Sequence, residues 1–164
     1  MKTNCTARFL TAAVLTAVCL AFPGCAKERP PLQYQEIFAC ADLSDGKRTY
    51  RISPIPGGFS VEITAPSPAA GILYRITDAA ATVSVGSVEI PVRDGVAAVP
   101  RQVIALFTLS EESRVGTDRR AGGVTARYKT ESGEIAVHLD GDGVPISFDT
   151  PAGTWTVSAF HKKA

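Results

Sequence analysis

The residues of this chain that could do covalent or acid–base chemistry are few and scattered. Ser44 and Lys47 stand at the spacing of a serine nucleophile and a lysine base, yet they flank Asp45-Gly46, which reads as a hairpin turn, and no companion motif accompanies them. Asp140 and Asp142, followed by Gly143, resemble the opening of a calcium loop. The twelfth position of that loop is Pro151 rather than a bidentate glutamate, and VPISF in between is strand-like, so a turn is the better reading. The two histidines, His138 and His161, have no Cys/His spacing that would make a zinc site and read as surface residues. Glu111-Glu112 and Arg119-Arg120 bracket one polar stretch and can pair across it, which implies no site. No nucleophile, base and orienting group assemble. The expectation is a non-catalytic protein with no metal and no cofactor.

The chemistry that remains is that of a thiol. Cys25 ends the stretch FLTAAVLTAVCLAFPGC, which follows a short basic start (Lys2, Arg8) with no acid before Glu28. This is the anatomy of a bacterial export signal. As a helix the apolar run Phe9 to Phe22 spans about 21 Å, short of the roughly 30 Å that a stable transmembrane helix must cross, so the segment is expected to be cut. A small residue, Gly24, directly before the cysteine resembles the lipobox of bacterial lipoproteins. That resemblance implies a diacylated Cys25 at the mature N-terminus, with residues 1–24 removed as signal. Two acyl chains, each contributing about 0.8 kcal/mol per buried CH₂, make a durable anchor. The alternatives are an ordinary signal peptide cut near Gly24, or use of Cys19, which the bulky Val18 before it disfavours. The location implied is extracytoplasmic, on the cell membrane or outer membrane.

Removing the signal takes two of 17 bases and leaves 15 against 16 acids, a net charge of −1. Neither that balance nor any basic stripe favours nucleic acid. The remaining 140 of 164 residues suit one domain with a substantial core. Cys5 and Cys19 leave with the signal and Cys25 is acylated, so Cys40 is expected as a lone, buried, apolar thiol. Residues 25–35, charged and stiffened by Pro30-Pro31, read as a short tether ahead of a single β-rich domain at 36–164.

Those 36–164 alternate with a period of two between turn residues. Ile37, Ala39, Ala41 and Leu43 share a face, then Tyr50 and Ile52, then Phe59, Val61 and Ile63. Ile72, Tyr74 and Ile76 follow, then Ala81, Val83 and Val85, then Val88, Ile90 and Val92. The period changes at Pro100: Val99, Val103, Leu106 and Phe107 lie on one helical face, and a helix is expected from Val99 to Leu109. Residues 111–123 read as a polar, glycine-rich loop. Four more strands are expected after it, with inward Val124, Ala126 and Tyr128; Ile135, Val137 and Leu139; Val144, Ile146 and Phe148; and Trp155, Val157 and Ala159. Short turns between neighbours imply an antiparallel meander with one apolar face.

The order of these elements, closing on GEIAVHLDGDGVPISFDTPAGTWTVSAF, resembles the LolA/LolB and LppX superfamily of envelope lipoproteins. The resemblance implies a mainly β (α+β) half-barrel of about ten strands with one helix packed on its concave face, able to hold acyl chains. One helix of about three turns cannot shield so wide a sheet. Tyr74, Val83, Ile90, Leu106 and Phe107 are therefore expected to line a site for a lipid or other hydrophobic small molecule. The alternative is an envelope assembly module with a filled core and a protein partner. Replacing Cys25 with serine is expected to release the protein from the membrane fraction and to remove the lipid from its mass. An unchanged distribution would leave a plain secreted or retained protein.

Overall fold

A computed structural model describes residues 33–93 and 95–163; the signal segment, Cys25 and residues 26–32 of the tether lie outside them. The chain forms α1 (Gln33–Ile37) and six strands, β1 (Phe38–Ser44), β2 (Thr49–Ile55), β3 (Gly58–Ala65), β4 (Ile72–Thr77), β5 (Ala81–Val85) and β6 (Val88–Pro91). The helix α2 (Ala98–Phe107) follows. Then come β7 (Arg114–Arg120), β8 (Gly123–Thr130), β9 (Gly133–Asp140), β10 (Pro145–Thr150) and β11 (Gly153–Lys162). All eleven strands form one unclosed antiparallel sheet in the order β6-β5-β4-β3-β2-β1-β11-β10-β9-β8-β7.

Two meanders meet in the middle of this sheet, where the first strand pairs with the last: Ala41 lies opposite Phe160 and Leu43 opposite Val157. The outer edges are consequently β6 and β7, which are consecutive in sequence. The chain between them must cross the whole sheet, and α2 lies on that crossing. Ala105 of α2 borders one groove with Ala81 of β5 and another with Thr130 of β8, strands eight positions apart. In a flat sheet that separation would be about 38 Å, far more than the roughly 10 Å width of a helix. The sheet is therefore curved around α2.

Helix α2 forms because AVPRQVIALF gathers Val103, Leu106 and Phe107 on one buried stripe, and because Pro100 sits in the first turn, where an N–H has no intrahelical acceptor. Phe107 is the hub of the core. It stacks on Phe38 at 4.5 Å between ring centroids, meets Phe148 at 5.6 Å and meets Tyr34 edge-on at 6.1 Å. Ile52, Val61, Tyr128, Val137 and Trp155 belong to the same buried cluster. The end of the helix is satisfied residue by residue. Thr108 covers the Ile104 carbonyl with its hydroxyl and the Ala105 carbonyl with its N–H, the Tyr34 hydroxyl donates to the Leu106 carbonyl at 2.9 Å, and Gln35 donates to Leu109 just beyond.

Several expectations are corrected. Residues 33–35 belong to the folded unit rather than to the tether, because Tyr34 is wholly buried. Residues 111–123 hold a 3₁₀ turn and the eleventh strand, β7, rather than a loop. Its Asp118, Arg119 and Arg120 are the charges that suit an edge strand pairing on one side only. The register shift between Phe38 and Cys40 puts Phe38 inward in place of Ala39 and leaves Cys40 half-buried as a free thiol opposite His161. A second shift, between Pro145 and Ser147, buries Pro145 and turns Ile146 outward, 50 % exposed. Both are bulges, which a strict two-residue period cannot anticipate. A third shift, between Asp42 and Leu43, sets Ala159 opposite outward Asp42 and puts Phe160 against the core in its place; Val61, Ile63, Val137, Phe148 and Trp155 are buried as expected.

Truncating the hub tests this packing. Phe107→Ala is expected to cost about 3–5 kcal/mol, read as a lower urea midpoint with an unchanged slope. A change below about 1 kcal/mol would mean that α2 does not hold the sheet.

Candidate functional site

Most of the sequence candidates resolve into local structure. The Ser44 hydroxyl accepts from the Gly46 N–H, and Asp45 accepts from the N–H groups of Lys47 and Arg48, so the Ser/Lys pair is a hairpin turn. Asp140 accepts from the N–H groups of Asp142 and Val144, both at 2.9 Å, which makes that segment an Asx-stabilised turn. Among the described residues no three His, Cys, Asp or Glu side chains are grouped to hold a metal ion. Glu111 pairs at 2.8 Å with the buried Arg114, and it accepts from the Tyr128 hydroxyl as well. His161 is exposed near the end of β11.

His138 is more constrained than a plain surface histidine. Its Nε2 is hydrogen-bonded to the Asp149 carboxylate at 2.7 Å and its Nδ1 to the Thr125 hydroxyl at 3.0 Å. Thr154 donates to the other Asp149 oxygen at 2.8 Å. The row links β8, β9, β10 and β11 across the outward face.

The inner face divides into three regions. At its centre Leu106 and Phe107 are buried among Tyr34, Phe38 and Phe148, so this part is filled. On one side of α2 lies a groove of about 670 Å³, bordered by Phe59, Ile76, Val92 and Ile104 but also by Asp78, Arg101 and Thr108. Gly58 borders it too, and a side chain at this position would collide with the Ile76 carbonyl oxygen. On the other side is a groove of about 410 Å³ lined by Ala105, Leu106, Ile135, Pro151, Ala152 and Trp155, with Gln102, Thr130, Glu131, Ser132 and Thr150 at its rim. Ala105 borders both grooves.

The structure thus splits the expected ligand set. Tyr74, Val83 and Ile90 are direct cross-strand partners on β4, β5 and β6, one continuous row with Val61 and Ile52. Exposure rises along it, from fully buried Ile52 and Val61 through half-buried Tyr74 and Val83 to Ile90 at 54 %. Leu106 and Phe107 belong to a different part of the face, and only Leu106 borders a groove. The groove-lining turns Thr130–Ser132 and Thr150–Ala152 were missed because hairpin turns carry no apolar periodicity. The one available signal was Ala105, a small residue on the outer side of an otherwise bulky helix.

An unclosed antiparallel sheet curved around a helix, with a groove on either side of that helix, defines the architecture. No family model and no curated protein matches the chain. Among solved structures it is similar to an uncharacterized conserved protein from Thermus thermophilus, at 14 % identity and a TM-score of 0.46, over 80 % of this chain and 83 % of that one.

Asp149 gives this outer face a pH dependence. The His138 ring, and then the Thr154 hydroxyl, hold its carboxyl below the usual carboxylate range. A depressed folded-state value contributes stability that is present above the unfolded value near pH 4 and lost as pH falls through the lower, folded one. Asp149→Asn should therefore lower the urea midpoint at pH 6, with the difference from wild type closing as pH is taken down toward 2. A gap of constant size would show that the charge on Asp149 is not its cause.

Proposed function

We propose that this protein is a non-catalytic, LolA/LolB/LppX-like envelope lipoprotein, anchored outside the cell membrane or in the outer membrane through acylated Cys25, whose domain binds a lipid or other hydrophobic small molecule. The observation that carries the reading is the groove of about 410 Å³ beside α2, lined by buried Leu106, Ile135 and Trp155 with the exposed or half-exposed turn residues Thr130–Ser132 and Thr150–Ala152 around them. Its size falls in the usual range for small-molecule sites, roughly 300–1,000 Å³, and an apolar floor with a polar rim suits a ligand with an apolar tail. The larger groove, with Asp78 and Arg101 on its border, is the less suitable of the two for an uncharged chain.

One observation favours a second reading. The Phe107 cluster fills the centre of the concave face, as an assembly module with no ligand would require. The two readings part at Ala105, which is exposed on α2 and borders both grooves without entering the core.

Trp155 is the only tryptophan of the chain and lies on the groove floor, so its emission reports occupancy directly. A brominated fatty acid is expected to quench Trp155 saturably. Ala105→Phe, which fills the groove from the helix side, should weaken that quenching at least severalfold while the far-ultraviolet circular dichroism stays sheet-like. If wild type shows no saturable quenching, ligand binding fails and the assembly module replaces it.

A further inference from the structure

The half of the sheet beyond α2 carries an apolar surface that neither the core nor the grooves use. Val85 and Val88 are direct partners across the β5–β6 hairpin, as are Val83 and Ile90, so all four side chains share the inner face. Val85 is 60 % exposed, Val88 59 % and Ile90 54 %. The other face of the same hairpin is polar, with Thr82 donating to Glu89 at 2.6 Å and Glu89 pairing with Arg75. Ile72 and Tyr74 of β4, both half-buried, continue the apolar surface back toward the covered core. Scattered exposed aliphatics are ordinary on a soluble domain, whereas a contiguous set on one face of an edge hairpin calls for an occupant.

From this hairpin we infer that the inner face of β5–β6 rests on the lipid bilayer that holds the Cys25 anchor. The inference relies on the anchor reading above. Cys25 precedes Gln33, the first described residue, by eight positions, so an extended chain reaches at most about 28 Å from lipid to domain. Within that radius the bilayer is present at a high effective concentration. A patch too small to bind vesicles from solution then suffices to orient the domain. A second copy of the chain fits less well. A stable dimer buries roughly 800 Å² per partner, more than three exposed aliphatic side chains and their half-buried neighbours present. Strand addition is also disfavoured, because β6 has only four residues and ends at Pro91.

The consequence is an orientation. The surface continues through Tyr74 and Ile76 to the border of the larger groove, so the docked domain turns that side of α2 toward the bilayer.

The test places a bimane label on the full, acylated protein in vesicles of phosphatidylethanolamine and phosphatidylglycerol with brominated acyl chains. With Cys40 replaced by serine, one label is carried by Ser87→Cys at the tip of the β5–β6 turn, and the control by Ala121→Cys on the β7–β8 turn at the opposite edge. Quenching at position 87 is expected to exceed that at 121 at least threefold. Combining Val85→Thr, Val88→Thr and Ile90→Thr, which keep strand-forming side chains, should abolish the difference while the protein stays in the membrane fraction. Equal quenching at the two positions on a lipidated chain overturns the docking and leaves the anchor standing. A chain whose intact mass carries no lipid overturns both. A disulfide between copies through position 87 that survives detergent also overturns it, in favour of a second copy as occupant.

Discussion

The hydrogen bond from the Tyr34 hydroxyl to the Leu106 carbonyl joins the two ends of the problem this fold has to solve. Because β1 and β11 pair at the centre, the two sheet edges are consecutive in sequence, and the chain must travel from one to the other across the inner face. A helix suits that crossing, since it satisfies its own backbone everywhere except at its termini. A helix end inside a core needs donors from elsewhere, and α1 supplies them through Tyr34 and Gln35. Burial pushes the Tyr34 phenol far up from its ordinary value, so it remains a neutral donor at any ordinary pH. The segment that leads in from the tether is thereby the piece that secures α2 within the sheet.

Once α2 is fixed, the grooves follow from residue size. Its buried stripe of Val103, Leu106 and Phe107 fills the space directly beneath it, and the Phe38, Phe107 and Phe148 rings leave no room there for a ligand. To either side the helix presents Arg101, Gln102, Ala105 and Thr108, and the sheet curves away from these short or flexible side chains. The same residues that make α2 amphipathic decide that free volume lies beside the helix and not behind it.

Much of this was legible beforehand. Six strands, then a helix, then a closing meander could be read from apolar period alone, since a half-buried sheet writes its facing into alternate residues. What escaped was whatever breaks that period. The bulges at Phe38/Cys40 and Pro145/Ser147 each insert a residue and invert the facing, so Ala39 and Ile146 were placed inward where Phe38 and Pro145 lie. Strand β7 escaped because an edge strand with Asp118, Arg119 and Arg120 has the composition of a loop. Tyr74, Val83 and Ile90 pair in a row across β4, β5 and β6, because register is a local property of hairpins. The distance of that row from Phe107 was not readable, since that depends on how far one helix extends over a curved sheet.

The outward face explains why function is to be sought on the inner one. Cross-strand pairs run along the outside, from Arg51 with Asp42 through His138 with Asp149 to Arg127 with Asp118, and each joins neighbouring strands in the open. Exposed pairs of this kind contribute roughly 0–1 kcal/mol each, so they keep the convex side solvated without building a site. On the inner face the apolar row begins at fully buried Ile52 and ends at Ile90 in the open, with the larger groove bordering that half of the sheet and the smaller one lying on the other side of β1. One face of the sheet thus grades from sealed core to exposed hairpin, while the other stays polar throughout these pairs.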